Sequence, residues 1–166
     1  MKIELAKTEV IHFIGIGGIG MSGLSLIMKA KGFKIQGSDL NLNKNVERLK
    51  KEKIKVFIGQ KKQNLKNATI VVISSAIKKN NPEIIEAKRK NLPIITRGKM
   101  LAHIVSLTKN IVVVGSHGKT TTTSLITSIF QKTKLDPTII NGGVINSIRN
   151  TAKLGKSDWS ILEADE

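Results

Sequence analysis

The amino-acid sequence predicts an α/β fold in which parallel strands are covered on both faces by helices, and three observations carry that prediction. Short apolar, β-rich runs recur along the chain, helix-compatible segments fall between them, and two of the runs end in glycine-rich loops that open a helix. The runs are Val10–Ile14, Lys34–Gln36, Val56–Ile58, Ile70–Ile73, Ile94–Thr96, Ile111–Val114, Thr138–Asn141 and Trp159–Glu163. Most are too short and too apolar to be strands with one face in water.

The helical segments are expected at about Ile19–Lys31, Lys44–Lys53, Asn81–Asn91, Gly98–Leu107 and Lys119–Lys132. Gly32 follows a last turn that carries lysine, which is a helix stop, and Pro82 after Asn81 suits the first turn of a new helix. Pro93 precedes a strand. The domain boundary is expected at Leu107–Asn110, where a helix ends on Thr and Lys before a new apolar run. About five strands precede it, and three strands and one long helix follow. A parallel sheet that stopped at Glu166 would leave apolar faces uncovered, so the sequence is expected to be a piece of a longer protein.

Composition narrows the class of function. Hydrophobic residues make up 40% and charged residues 24% of the 166, enough apolar material for a packed core. There is no cysteine, which removes disulfides and thiolate metal sites and accords with a cytoplasmic setting. No apolar stretch approaches ~18 residues, so neither a secretion signal nor a membrane span is expected. The net charge of +16 invites a nucleic-acid reading, but its lysines are scattered and only four Phe and one Trp are present to stack on bases. The basic excess favours small polyanionic ligands instead.

The first glycine loop, Gly15-Ile16-Gly17-Gly18-Ile19-Gly20, follows a strand and opens a helix, and it has the spacing G-x-G-x-x-G. Gly15 would permit the tight turn, Gly17 the close approach of backbone to a diphosphate, and Gly20 close helix packing; Gly18 lies between them. The free N–H groups of the helix N-terminus favour an anion. Asp39, 19 residues beyond Gly20 at the end of the second strand, stands where an acidic side chain can bind ribose hydroxyls. The first domain is therefore Rossmann-like, and glycines alone do not separate NAD from a UDP-sugar.

The second loop is the more specific. Ile111–Val114 leads into Gly115-Ser116-His117-Gly118-Lys119-Thr120-Thr121, a buried strand, a glycine turn and a helix opening on Lys and Thr. Such a segment cradles phosphates of ATP with successive N–H groups, reaches the outer phosphates with Lys119, and offers the Thr120 hydroxyl to Mg²⁺. Val113 occupies the place of the first glycine of G-x-x-x-x-G-K-[ST], so Gly115 must make the turn. His117 is expected to face solvent or phosphate rather than act as a base, and His12 and His103 to be structural. Glu163, at the end of the last strand, is the candidate second metal ligand, with Asp165 and Glu166 as rivals. Residues 108–166 thus read as the start of a P-loop ATPase-type α/β domain.

Both loops in this order, with the strings GIGGIGMSG, GSD, SSAI, NPE, GSHGKTTT, NGG and EADE, resemble the Mur ligases over nearly the whole chain. The resemblance implies a UDP-sugar-binding domain at 1–107, the beginning of the central ATP-binding domain at 108–166, and a C-terminal domain outside this sequence. It also implies ATP-dependent joining of L-alanine to the carboxylate of UDP-N-acetylmuramate, in the synthesis of peptidoglycan precursors. Lys119 would serve the chemistry, and Gly115, Ser116, His117, Gly118, Lys119, Thr120 and Thr121 would hold ATP. Thr120 and Glu163 would hold Mg²⁺, Gly15, Gly17, Gly18, Gly20 and Asp39 the UDP part, and Asn141, Gly142 and Gly143 would lie by the sugar. Two departures stand out: Gly98-Lys99 where relatives carry a small residue and an acid, and Ser116 for a Thr. The alternatives are a relative in the family that recycles murein tripeptide, a nicotinamide-dependent dehydrogenase, and a non-catalytic UDP-sugar-binding module. The 166 residues by themselves are expected to bind ligands weakly and to catalyse nothing.

Overall fold

The computed structural model describes residues 5–106, 108–145, 150–153 and 155–163, with the backbone alone considered at 141–145 and 150–152. Contacts divide the chain into two compact units, 1–103 and 104–166; the division falls inside a helix, a few residues before the Leu107–Asn110 segment.

The first unit is a five-stranded, wholly parallel sheet. Its elements in order are β1 (Val10–Ile14), α1 (Ile19–Ala30), β2 (Lys34–Asp39), α2 (Lys44–Lys51), β3 (Lys55–Ile58), a 3-10 turn at Lys62–Leu65, β4 (Ile70–Ile73), α3 (Pro82–Arg89), β5 (Ile94–Thr96) and α4 (Arg97–Val105). The sheet order is β3-β2-β1-β4-β5, so the chain reverses its direction of travel between β1 and β4. Right-handed crossovers then put α1 and α2 on one face and α3 on the other. The reversal leaves a crevice at the carboxyl ends of β1 and β4, which is where ligands bind in open sheets of this kind.

The core follows from the pattern of apolar side chains. Ile11, Phe13 and Ile14 of β1 are fully buried between the layers, with Leu24, Ile27 and Met28 of α1 and Val46 and Leu49 of α2. Against the α3 face Ile14 and Val71 pack on Leu65, Ala68, Ile84 and Ala87. Helix ends obey local chemistry. Asn43 caps α2 by accepting from Val46 N–H at 3.0 Å, and Asn81 caps α3 from Glu83 N–H at 2.8 Å, with Pro82 in the first turn. Gly32, at φ +90, closes α1 as its position predicts. Helices α2 and α3 stop two residues short of their expected ends: Glu52 and Lys90 are the caps, and the residues after them, Lys53 (φ 59) and Asn91 (φ 54), turn left-handed.

Strand β2 runs three residues beyond the expected Gln36, through Gly37 to Asp39. Gly37 reads as a strand breaker, yet it is paired on both sides, to Phe13 of β1 and Val56 of β3. It must be glycine for packing: a Cβ there would lie 2.6 Å from the Phe13 carbonyl oxygen and 2.6 Å from Ile16 Cδ1.

The second unit contains β6 (Lys109–Val113), α5 (Lys119–Gln131), β7 (Thr138–Ile145), β8 (Asn150–Lys153) and β9 (Trp159–Glu163), with sheet order β6-β9-β7-β8. Strands β6, β9 and β7 are parallel, and α5 packs on them with Thr123 and Thr127 buried. Two sequence expectations are corrected here. The strand starting at Thr138 continues to Ile145, and β8, absent from the expectation, pairs antiparallel with it. Asn150-Thr-Ala-Lys153 has no apolar run to announce a strand; it becomes one by pairing at the sheet edge, where polar residues are tolerated. Among the described residues no helix is long and apolar enough to cross a membrane.

Candidate nucleotide-binding sites

In the first unit the loop 15–20 leaves the end of β1 at the reversal point of the sheet. Gly15 turns at φ +76, a conformation open to glycine at little cost. Its N–H and that of Ile16 donate to the Ser38 carbonyl at 2.8 and 2.9 Å, and Gly18 N–H donates to the Gly15 carbonyl at 3.1 Å. Gly17 N–H donates to Asp39 Oδ2 at 2.8 Å, while Asn45 Nδ2 donates to the Gly17 carbonyl at 2.8 Å. Gly37-Ser38-Asp39 therefore clasps Gly15-Ile16-Gly17 residue by residue: Gly37 makes room for the Ile16 side chain, Ser38 takes two amides and Asp39 the third.

This geometry gives the loop glycines and Asp39 partners within the protein. Gly17 is glycine because Val46, Asn43 and Asp39 crowd it, and its N–H is engaged by Asp39. Asp39 does lie at the end of β2, but as a partner of the loop and of Asn41 N–H at 3.3 Å. Gly18 is the residue before α1, and the first intrahelical bond runs from Ser22 N–H to its carbonyl at 2.8 Å. The donors that an anion would meet are the first-turn amides of α1, from Ile19 onward. Gly20 faces the Arg97 side chain, with which a Cβ would collide; sequence reasoning missed Arg97 because nothing in the string 94–97 marks it.

In the second unit the turn is made by Gly115 at φ +152, and Gly118 at φ +76 immediately precedes α5. Val113 stays in β6, which explains how a valine occupies the usual first-glycine place. Ser116 and His117 are exposed, as is Thr121. Lys119 folds back so that Nζ donates to the Gly115 carbonyl at 2.6 Å. Thr120 Oγ1 lies 3.2 and 3.3 Å from the two carboxylate oxygens of Glu163. That contact follows from topology: β9 is the parallel neighbour of β6, with Val113 opposite Glu163. Thr122 N–H closes the first turn on the Gly118 carbonyl at 2.9 Å, and Ser124 Oγ donates to the Thr120 carbonyl at 2.7 Å.

A hydroxyl and a carboxylate converging at a phosphate-type loop fit Mg²⁺, a hard cation that takes oxygen ligands and completes its shell with water and substrate phosphates. Asn141, Gly142 and Gly143 fall in the stretch between Ile140 and Ile145 where β7 and β8 shift register. Asp165 and Glu166 lie outside the described residues. His12, on β1, is fully buried.

Fold and loops together define an α/β protein with two glycine loops, each at the carboxyl end of a parallel strand and each opening a helix. The chain belongs to the Mur ligase family: the model described as "Mur ligase family, catalytic domain" matches residues 10–109. It is 77% identical, over its whole length, to UDP-N-acetylmuramate–L-alanine ligase of Pelagibacter ubique (strain HTCC1062), and spans 36% of that relative. To the protein of the same name from Rickettsia prowazekii (strain Madrid E) it is 55% identical and covers 34%. The chain thus spans about a third of the length of these relatives. Among solved structures it resembles UDP-N-acetylmuramate-alanine ligase MurC from Thermotoga maritima, at TM-score 0.84 and 29% identity over 93% of this chain and 36% of that one. It also resembles a murein peptide ligase from Psychrobacter arcticus 273-4, at TM-score 0.85 and 26% identity over 95% and 38%.

Proposed function

We propose that this chain supplies the UDP-sugar loop and the ATP loop of an enzyme that joins L-alanine to UDP-N-acetylmuramate in the cytoplasm. On this reading residues 1–107 form the UDP-sugar-binding domain and 108–166 begin the ATP-binding domain. The observation that carries it is the second loop, where Lys119 and Thr120 open α5 and Glu163 stands across from Thr120 on the neighbouring strand.

The reaction transfers the γ-phosphoryl of ATP to the muramate carboxylate, and the alanine amine then attacks the acyl phosphate, releasing phosphate. Nucleophile and electrophile both belong to substrates, so the protein acts by positioning and by neutralising charge. Lys119 would leave the Gly115 carbonyl for the outer phosphates, and the first-turn amides of α5 would hold them. Thr120 and Glu163 would hold Mg²⁺, which when bound offsets charge on the phosphates. In the first unit the α1 amides would take the UDP diphosphate and Asp39 would present its remaining lone pairs to ribose hydroxyls. Identity of 77% and 55% to ligases named for L-alanine favours that amino acid over murein tripeptide as the substrate.

Calorimetric titration of the 166-residue chain tests the reading, with UDP-N-acetylmuramate, with ATP and Mg²⁺, and with NAD as the control. Heat with the first two and none with NAD is expected. Lys119→Ala should lose ATP binding by about a hundredfold, the loss of a charge-assisted contact to phosphate, and keep the UDP-sugar. Binding of NAD alone, or unchanged ATP binding by the variant, would refute it.

A further inference from the structure

Two strings, Gly37-Ser38-Asp39 and Asn81-Pro82-Glu83, meet through a hydrogen bond between Ser38 and Glu83. Glu83 lies in the first turn of α3 and is wholly buried. Its Oε2 accepts from Ser38 Oγ at 2.5 Å and its Oε1 from Asn64 Nδ2 at 2.6 Å. His12, also wholly buried, brings Nε2 to 3.5 Å from Oε2, beyond a hydrogen bond of normal length, and Nε2 has no closer partner among the described residues. The Gln36 amide donates to both His12 Nδ1 at 3.2 Å and the Asn64 carbonyl at 3.0 Å. With both amide hydrogens engaged, Nδ1 must accept and the ring proton sits on Nε2, toward the carboxylate. Asn81 sets where that carboxylate stands: it caps α3 through Glu83 N–H and donates to Gln60 Oε1 at 2.5 Å.

Ser38 links this cluster to the loop. Its hydroxyl is held by Glu83, and its carbonyl holds the amides of Gly15 and Ile16. A buried hydroxyl that loses its acceptor moves to find another, and the end of the strand moves with it.

We propose that Glu83 is a positioning residue for the first glycine loop, acting from the interior through Ser38 on the amides of Gly15 and Ile16. The consequence for ligand binding rests on reading that loop as the UDP-sugar site; the positioning does not.

Amide hydrogen exchange of the unliganded 166-residue chain, read residue by residue by NMR, tests it. Glu83→Met keeps a similar volume but removes both acceptors, so Ser38 and Asn64 lose their partner. Gly15 and Ile16 amides should exchange about tenfold faster than in the wild type. The amide of Val71, bonded to the Pro93 carbonyl at 2.9 Å, should be unchanged. Ser38→Ala should accelerate the same two amides, and the double variant should go no faster than Ser38→Ala alone. Wild-type protection of Gly15 and Ile16 in Ser38→Ala overturns the proposal even if Glu83→Met fails to fold. Acceleration shared equally by Val71 overturns it too, because that is a general loosening of the core. Titration with UDP-N-acetylmuramate is scored separately: a wild-type chain that does not bind defeats the ligand reading, while the exchange rates still decide the positioning.

Discussion

Gly17→Ala separates two reasons for having a glycine in the first loop. If Gly17 serves to let a diphosphate approach the backbone, a methyl group there costs affinity and leaves the empty protein as stable as before. The structure predicts the opposite order. A Cβ at Gly17 would lie 2.7 Å from Val46 Cγ2 and 2.8 Å from both Asn43 Nδ2 and Asp39 Oδ2. Val46 is fully buried and β-branched, so its χ1 has little freedom to yield. Overpacking of this kind costs about 1–3 kcal/mol, and displacing Asp39 adds about 1 kcal/mol for its bond to Gly17 N–H. Gly17 is not among the glycines with positive φ, so backbone strain adds nothing. A loss of about 2–4 kcal/mol in a unit of this size lowers its melting temperature by roughly 10–30 °C. The assay is thermal unfolding without ligand, by far-ultraviolet circular dichroism, with the fluorescence of Trp159 as the report on the second unit alone. An empty variant that melts within about 2 °C of the wild type but has lost UDP-N-acetylmuramate binding would refute the packing argument.

Gly98→Ala should act with the opposite sign: Gly98 sits in α4 with no atom within 4 Å of an added Cβ, so helix propensity and reduced freedom of the unfolded chain stabilise by about 0.5–1 kcal/mol, and a melting temperature below that of the wild type would contradict this. Asp136 accepts from Lys153 Nζ at 2.7 Å and from Lys156 N–H at 3.3 Å; the Lys153 hydrogen bond chiefly holds its carboxyl below the ordinary value, against a smaller opposing effect of burial. Because the folded value is the lower one, the contribution to stability is full above the ordinary carboxyl range and is lost as pH falls through the depressed folded value. Asp136→Asn should therefore flatten the acid side of the stability profile of the second unit, followed by Trp159 fluorescence, and parallel profiles for variant and wild type would exclude the effect.

Much of this protein is legible as a string because its signals are local. Strand β1, the start of α1 and the stop at Gly32 follow from runs, glycines and caps within a few residues. The ATP-type loop is legible for the same reason: Gly115 through Thr120 is one continuous segment whose backbone geometry its own residues dictate. Even the approach of Glu163 to Thr120 could be inferred, since a parallel order brings the ends of neighbouring strands together.

What the tertiary structure alone decided are the roles that depend on what a residue touches across the chain. The spacing of Gly15, Gly17 and Gly20 reads the same whatever lies beside them, and only packing shows that Asp39 crowds Gly17 and Arg97 crowds Gly20. Strand β8 has no apolar pattern of its own and exists because β7 offers it a ladder. Glu83 reads as an ordinary acidic residue in the first turn of a helix, 45 residues from Ser38. Its burial with Ser38, Asn64 and His12 arises because β1, β2 and the 3-10 turn bring these residues to the first turn of α3, and a short-range pattern carries no record of that meeting.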